Sequence, residues 1–442
     1  MSDTPICDFV KEYAGNGSVR AHMPGHKGKE FLGFEEYDVT EFDGADQLFD
    51  PHGIIAESEK NASGIFSCST FYSAEGSSLC IRAMLYMAIT RSGVSRTVLA
   101  ARNVHGSFIT SAGLLGIDVQ WIYPEIPSVY LSAKLSAADI EKALASSETK
   151  PAAVYVTSPD YLGAISDIKG IARVCSKYGV PLLVDNAHGA YLKFLDVSAH
   201  PVDLGADLCC DSAHKTLPVL TGGAYLHVNA NDRYVFSGKA KHAMSVFAST
   251  SPSYLILQSL DKANAYLKDH KKRLKGFLPQ MENLKNELKI RGYTLVEEER
   301  MKITVDAKKY GYTGDGLAQA LMNCGIVCEF HDKDFTVLML TPENTEGGIE
   351  RIKKAFLSVP RLSPIADAPP FVPVPERAMS IREAMLSESE TLAAEKCAGR
   401  ITACTSLSCP PAVPILVCGE VITKQALDCF AYYGIKECAV VK

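Results

Sequence analysis

A lysine in the segment Asp211–Thr216 has the sequence surroundings of a reactive amine. It follows an apolar run, which favours a buried strand, and Pro218 and two glycines shortly after it prevent a long helix from following directly. Lys215 is therefore predicted to lie at the end of a strand, in a turn that it shares with Ser212 and His214. A lysine amine can form a Schiff base with a carbonyl compound. Because a single lysine in a loop is most often an ordinary surface residue, this assignment depends on which other groups reach the same place.

Three further segments contain side chains that can bind a ligand or take part in catalysis, and each lies next to a predicted strand or helix. Asn103-Val104-His105 and Asp185-Asn186-Ala187-His188 each follow a predicted strand, and Gly76-Ser77-Ser78 precedes a predicted helix. In an open parallel sheet, ligands bind beyond the carboxyl ends of the strands, so these segments are expected to meet Lys215 at one rim. Taken singly, each has an ordinary explanation: a helix cap for the serines, a loop histidine, and a capping or structural aspartate.

Together these residues match what pyridoxal phosphate requires. The cofactor needs a lysine for a Schiff base, a carboxylate for its pyridinium nitrogen and a flat ring for stacking. It also needs backbone amides and hydroxyls at a helix N-terminus, where its phosphate dianion can bind. Lys215, Asp185, His105 and residues 76–78 supply the four parts. The sequence therefore predicts a pyridoxal 5'-phosphate site.

Strands and helices alternate from about residue 60 to 230, which predicts a mostly parallel sheet covered on both faces. Strands are predicted at 97–101, 119–123, 152–156, 181–184, 208–210 and 224–228, and helices at 79–87, 106–115 and 167–178. Later elements are predicted as one long helix from 253 to about 290, strands at 302–305 and 336–340, and helices at 315–322, 346–356 and 381–392.

Changes in composition divide the chain into four predicted regions. Residues 1–60 form an N-terminal arm, and residues 61–290 form the cofactor-binding large domain with a connecting helix. A small α/β domain at 291–365 and a proline-rich linker with a C-terminal domain at 366–442 follow. Within the arm, residues 20–28 are too rich in glycine and proline for regular structure. Arms of this kind usually wrap around the protein body or a partner subunit.

The composition is that of an ordinary globular protein. The chain of 442 residues is 47% hydrophobic and 22% charged, and its net charge of -6 argues against nucleic acids and anionic membranes as partners. No run of about 18 apolar residues is present. The start of the chain lacks the features of a signal peptide. Fourteen scattered cysteines without a CxxC pair favour buried, reduced thiols in a cytoplasmic protein and no metal site.

The sequence resembles the pyridoxal-phosphate-dependent ornithine/lysine/arginine decarboxylases, which have the aspartate-aminotransferase-like fold (fold type I). The similar segments span nearly the whole chain and are residues 20–28, 157–159, 184–190, 212–218, 249–253 and 410–414. The resemblance implies an α/β large domain with a mostly parallel sheet, a small α/β domain and a C-terminal α+β extension. It also implies a short form of the family, without the N-terminal regulatory domain of the inducible enterobacterial members.

The resemblance further implies a role for each site residue. Lys215 would form the Schiff base, Asp185 would pair with the pyridine nitrogen, and His105 would stack on the ring. After the substrate loses CO2, Lys215 or His214 would return a proton to Cα, giving a diamine or agmatine. The residues implied to bind the cofactor are Gly76, Ser77, Ser78, His105, Asp185, Ala187, His188, Ser212, His214, Lys215 and Thr250.

Thr250 is implied to reach the phosphate bound by a partner subunit, because active sites of this family lie at a dimer interface. We therefore expect a homodimer or a higher homo-oligomer. The chain departs from the family pattern at Glu75, Asn186, Ala412 and Cys418, where Asn, Glu, Gly and Pro are more usual. None of these departures falls on Lys215 or Asp185 themselves. They leave open which basic amino acid is the substrate.

Two other functions remain compatible with the same residues. An aminotransferase or another pyridoxal-phosphate lyase would use the same lysine, and an aminotransferase would usually need an arginine for the substrate carboxylate. Arg351 and Arg361 cannot be assigned to that role from the sequence. A non-catalytic paralogue would keep the fold, but the intact Lys215 argues against it.

Overall fold

The computed structural model describes residues 2–91, 93, 95–123, 131–296, 298–370, 374–405 and 413–442. The chain divides into two compact units. The first unit comprises Met1–Ser95, Ala152–Tyr155 and Ile168–Lys272, and the second comprises Arg96–Pro151, Val156–Asp167 and Arg273–Lys442.

Helices and strands alternate through most of the described chain. The helices are α1 Pro5–Gly15, α2 Ile54–Phe66, α3 Gly76–Ile89, α4 Gly106–Leu115, α5 Ala137–Ser146, α6 Ile168–Tyr178, α7 Pro201–Leu204, α8 Ala213–Thr216, α9 Ser237–Ser245, α10 Tyr254–Leu267, α11 His270–Arg291, α12 Gly314–Asn323, α13 Glu346–Ser358, α14 Ile381–Leu386 and α15 Lys424–Tyr433. Short 3₁₀ helices lie at Glu35–Tyr37, Ala190–Phe194, Ala307–Tyr310 and Ala394–Lys396.

The strands form one large and two small sheets. They are β1 Ser69–Ser73, β2 Thr97–Ala101, β3 Asp118–Ile122, β4 Ala153–Thr157, β5 Leu182–Asp185, β6 Leu208–Asp211, β7 Ala224–Val228, β8 Thr294–Val296, β9 Lys302–Asp306, β10 Phe330–His331, β11 Phe335–Met339, β12 Ser389–Ala393 and β13 Glu437–Val441. Strands β1 to β7 form a mostly parallel seven-stranded sheet, β8 to β11 form a four-stranded sheet, and β12 pairs with β13.

In the first unit, strands β1, β7, β6 and β5 lie side by side in that order. Strand β7 runs antiparallel to both of its neighbours, and β5 and β6 are parallel. All residues of β5, β6 and β7 are buried, as expected of strands covered on both faces. The register pairs Asp185 with Cys210 and Cys209 with His227. This register decides which side chains meet at the carboxyl ends of β5 and β6.

Most predicted elements lie close to their observed bounds, but three predictions need correction. The predicted helix from 253 to about 290 is two helices, α10 and α11, since the turn between them tightens: the amide of Asp269 donates to the carbonyl of Tyr266 at 3.3 Å. His270, at the start of α11, is buried and packs edge-on against Phe194.

The predicted helix at 381–392 is a short helix followed by a strand. A capping box between Ser380 and Glu383 starts α14, which ends at Leu386. Residues 389–393 then form β12, because their alternating exposure suits pairing with β13. The N-terminal arm also contains regular structure that was not predicted, namely α1 and most of α2. Its glycine- and proline-rich segment 20–28 does lack helix and strand.

The described cysteines are free thiols, and most of them are buried. Cys324 is exposed and Cys7, Cys328 and Cys404 are half-buried, so the prediction of buried thiols is wrong for these four. In the part of the chain that the structure describes, none of the helices combines the length and apolar character needed to cross a membrane.

Candidate active site

Lys215 lies on α8, a helix of one turn that directly follows β6. The amide of Lys215 donates to the carbonyl of Ser212 at 3.1 Å. Both the amide and Nδ1 of His214 donate to the carbonyl of Gly223, at 3.2 Å and 3.0 Å. The glycine loop that follows thus holds the helix in place. The half-buried Lys215 directs its Nζ to within 3.1 Å of His188 Nε2, so two residues predicted for the site are in contact.

Asp185 ends β5 and its side chain is almost fully buried, with 2% exposure. Its carboxylate accepts hydrogen bonds from the Tyr155 hydroxyl at 3.1 Å and from the Ala187 amide at 3.1 Å. The Cys210 thiol lies 3.7 Å from the same carboxylate. Among the described residues, no lysine, arginine or histidine forms an ion pair with Asp185. Because a buried carboxylate is usually paired with a cation, Asp185 suits a ligand that carries one.

The start of α3 provides the predicted phosphate site. Gly76 has a φ of +68°, and a Cβ placed on it would meet no atom within 4 Å, so the space in front of the helix is open. No side chain caps the helix. The amide of Gly76 donates to the carbonyl of Gly222 at 2.6 Å, and the next amides, those of Ser77 and Ser78, are the ones that an anion could bind. Ser77 accepts a hydrogen bond from Ser212 at 2.8 Å, and Ser78 is half-buried in the same turn.

The carboxylate of Glu75, one of the departures from the family pattern, is engaged elsewhere. Its Oε1 accepts a hydrogen bond from the amide of Ser249 at 2.7 Å. Glu75 therefore fixes the loop before α10 and need not face a bound phosphate. Thr250 is the next residue in that loop and is exposed.

The remaining site prediction, His105, belongs to the second unit. It caps the N-terminus of α4, where its Nδ1 accepts a hydrogen bond from the amide of Ser107 at 3.1 Å, and its side chain is exposed. The role of stacking on the cofactor ring stays a prediction. Part of the similar segment at 410–414 lies outside the described residues, as does Ala412.

Sequence reasoning did not identify Tyr155 and Cys210 as neighbours of Asp185. Both lie in continuous apolar strands, where they looked like core residues. The only signal was the hydroxyl of a tyrosine in a fully buried strand, which must find a hydrogen-bond partner. Burial and the neighbouring Asp185 raise the pKa of Tyr155 well above its usual value, so it remains a proton donor to the carboxylate.

A second polar cluster lies on the other face of β6. His200, Cys209 and Asp211 place potential metal-binding atoms within 4.8 Å of one another. The distance from His200 Nε2 to Asp211 Oδ2 is 3.0 Å, which is that of a hydrogen bond, and we interpret the cluster as hydrogen-bonded. Asp185, Lys215 and the open start of α3, by contrast, fit a cofactor with a cationic ring, a carbonyl and a phosphate.

Comparison with known protein families identifies two matching domains. Residues 4–306 match the model of the Orn/Lys/Arg decarboxylase major domain, and residues 367–438 match that of its C-terminal domain. The chain is 30% identical to an arginine decarboxylase of Halalkalibacterium halodurans, over 97% of this chain and 92% of that protein. It is 27% identical to an arginine decarboxylase of Bacillus subtilis, over 96% and 92% of the two chains.

Among solved structures, the lysine decarboxylase of Francisella novicida has the same fold. Its TM-score is 0.81 at 15% sequence identity, with 99% of this chain and 81% of that chain covered. The predicted fold class, with its mostly parallel sheet, is thereby confirmed, and the family matches confirm the prediction of an amino-acid decarboxylase. The chain belongs to the Orn/Lys/Arg decarboxylase family.

Proposed function

We propose that this protein decarboxylates a basic amino acid by means of pyridoxal 5'-phosphate bound covalently to Nζ of Lys215. The observation that carries the proposal is the buried carboxylate of Asp185, which three neutral groups orient and which no cationic side chain of the described residues neutralises. A protonated pyridine nitrogen would supply the missing charge. Arginine is the first candidate substrate, because the two relatives named above are arginine decarboxylases.

Different residues of the chain have different roles in this reaction. When bound, the cofactor supplies an electron sink for the electron pair left on the substrate Cα as CO2 departs. Asp185 keeps the ring nitrogen protonated, and Tyr155 and the Ala187 amide hold its carboxylate in place. Gly76 would leave room for the phosphate, and the amides and hydroxyls of Ser77 and Ser78 would hold it together with Ser212.

The proton returned to Cα comes from Lys215 in this proposal. Its Nζ lies 3.1 Å from His188 Nε2, which can exchange a proton with it. His214 is less suited, since its Nδ1 proton is donated to the carbonyl of Gly223. His105 would stack on the ring, as the family resemblance implies.

We further propose a cytoplasmic homodimer in which Thr250 reaches the phosphate of the partner subunit. The exposure of Thr250 next to the loop that Glu75 fixes supports this assignment. Light scattering of the purified protein measures the assembly. A monomer that is fully active would contradict the role given to Thr250.

A substrate panel tests the activity. Protein saturated with pyridoxal phosphate should release CO2 from arginine, lysine or ornithine, and Lys215→Ala should abolish the release. Lys169→Ala, on the exposed face of α6, serves as the control and should retain wild-type activity. No CO2 from any of the three amino acids would overturn the proposal. Accumulation of pyridoxamine phosphate would indicate an aminotransferase, and a lack of cofactor absorbance with no effect of Lys215→Ala would indicate a non-catalytic paralogue.

A further inference from the structure

Asp211 is a completely buried carboxylate that the proposed reaction does not use. It ends β6 and immediately precedes Ser212, at the base of the loop that carries Lys215. A buried carboxylate is costly unless hydrogen bonds and a compensating charge surround it. The groups around Asp211 therefore show how its buried charge is compensated.

Four side chains donate hydrogen bonds to Asp211. His200 and His227 donate through Nε2 to Oδ2 at 3.0 Å and 3.1 Å. Asn186 donates through Nδ2 to Oδ1 at 2.7 Å, and the Cys209 thiol lies 3.7 Å from the same oxygen. All four are buried, with exposures of 0%. Burial alone would raise the pKa of Asp211, but the two imidazoles outweigh it and hold the pKa well below its usual range. Asp211 is thus a charged acceptor.

One of these donors, Asn186, belongs to the loop that carries Asp185 and His188. Its backbone amide donates to the carbonyl of Cys210 at 3.0 Å, so both its main chain and its side chain are bound to the end of β6. The contact between His188 Nε2 and Lys215 Nζ joins the same two loops at their tips. The bond from Asn186 to Asp211 joins them at their base.

The chemistry of this contact explains why residue 186 is an amide here, although the resemblance leads one to expect a glutamate. A carboxylate at that position would face the buried carboxylate of Asp211, which has no proton to donate. An asparagine donates through Nδ2 instead. Its Oδ1 is buried and accepts no hydrogen bond among the described residues, so the donor alone accounts for the placement of the side chain.

We propose that Asp211 and Asn186 are positioning residues that fix the loop of Asp185 and His188 against the loop of Lys215. The pair acts through the residues that contact the cofactor and does not touch it. This inference deepens the proposed function and rests on it. Its consequence is that the placement of Asp185 relative to Lys215 depends on the hydrogen bond between residues 186 and 211.

The decisive variant is Asn186→Asp, which replaces the donor by a second carboxylate. We expect it to weaken pyridoxal phosphate binding at least about tenfold, because residues in one buried network are coupled by this order of energy. We also expect it to lower the fraction of Lys215 that borohydride traps with the cofactor, as measured by mass spectrometry of the lysine peptide. Among the kinetic constants, kcat should fall and KM should change little. If Asn186→Asp is insoluble, the same measurements are made on Asn186→Ser, which removes the amide donor without adding a second carboxylate.

The matched control is Asn264→Asp. Asn264 is another buried asparagine of the same unit, and its Nδ2 donates to Tyr72 and Ser58 rather than to a site loop. It should lower thermal stability without changing cofactor affinity or trapping. Equal effects of Asn186→Asp and Asn264→Asp on cofactor binding would overturn the inference, as would wild-type binding and trapping in a folded Asn186→Asp. Cofactor binding is measured without substrate, so failure of the proposed decarboxylation would be recognised separately, in the wild-type CO2 assay.

Discussion

Asp185 and Asp211 end two neighbouring parallel strands, but their negative charges have different surroundings. Asp185 is surrounded by neutral donors, namely a hydroxyl, an amide and a thiol. Asp211 is surrounded by two imidazoles, an amide and a thiol. Both carboxylates are buried, so the difference does not arise from solvent.

The charge of Asp211 is structural, whereas the charge of Asp185 is the one that the proposed function uses. The fold supplies its own positive charge to Asp211. Burial tends to lower the pKa of His227, but the neighbouring Cys68 and Asp211 outweigh it and raise the pKa to about 9. Burial lowers the pKa of His200, which remains the neutral donor of the pair. At Asp185 the described residues supply hydrogen bonds only, and in the proposed function the cofactor supplies the positive charge. Replacing Asp211 by asparagine should therefore lower stability, whereas replacing Asp185 by asparagine should lower catalytic activity.

The largest effect is expected from Asp211→Asn. Removing the carboxylate leaves the buried His227 without its counter-charge, and breaking one partner of a buried pair costs about 3 kcal/mol of unfolding free energy. Urea denaturation of the cofactor-free protein at pH 7 measures it, with Asp185→Asn as the matched control. A loss in Asp211→Asn no greater than that in Asp185→Asn would contradict the comparison.

Asp185→Asn should instead affect catalysis. The variant keeps a side chain of the same shape but cannot balance a cationic ring, so we expect kcat to fall by about a hundredfold or more. The free energy of unfolding should change by less than about 1 kcal/mol, because no cationic partner is lost. The CO2 assay and urea denaturation measure the two quantities. Near-wild-type turnover would show that Asp185 is not the charge partner of the cofactor.

A smaller effect is expected in the pH dependence of stability, which should involve Asp211 through His227 but not Asp185. The pKa of His227 is raised from 6.5 to about 9 on folding, so its stabilising contribution is complete below pH 6.5 and is lost as the pH rises through 9. The stability difference between wild type and Asp211→Asn should therefore shrink as the pH rises through this range, by the part of the pKa shift that Asp211 causes. Denaturation curves at several pH values test this. A constant difference would mean that His227 is not charged in the folded protein.

The smallest effect is expected from Tyr155→Phe. It removes one neutral donor from Asp185 and leaves the Ala187 amide and the Cys210 thiol in place. One hydrogen bond of this kind contributes about 1 kcal/mol, so kcat should fall about fivefold while the fold is retained. Tyr225→Phe is the control, because the buried Tyr225 hydroxyl has no hydrogen-bond partner among the described residues. Equal losses of activity in both variants would show that the bond to Asp185 is immaterial.

Much of the fold follows from local sequence patterns. The bounds predicted for β2, α4 and β7 agree with the structure, because each is a short apolar run bounded by turn residues or capping groups. Predictions failed where a long pattern concealed a break, as between α10 and α11, or where alternating residues followed a helix, as at β12. In each of these places, tertiary packing or strand pairing set the boundary.

The sequence alone was enough to predict a lysine for a Schiff base, the carboxylate of the next motif upstream and the glycine-serine start of α3. It also determined that strands would carry them to one rim. It could not determine the surroundings of the two aspartates. Side chains alternate along a strand, so Cys210 faces Asp185, while Cys209 and Asp211 face the opposite layer.

The register of β6 with β7 then brings His227 to Asp211 across 16 residues, and the fold brings His200 to the same oxygen. Only the tertiary structure decides such contacts, because they depend on pairing between strands and not on the order of residues within one.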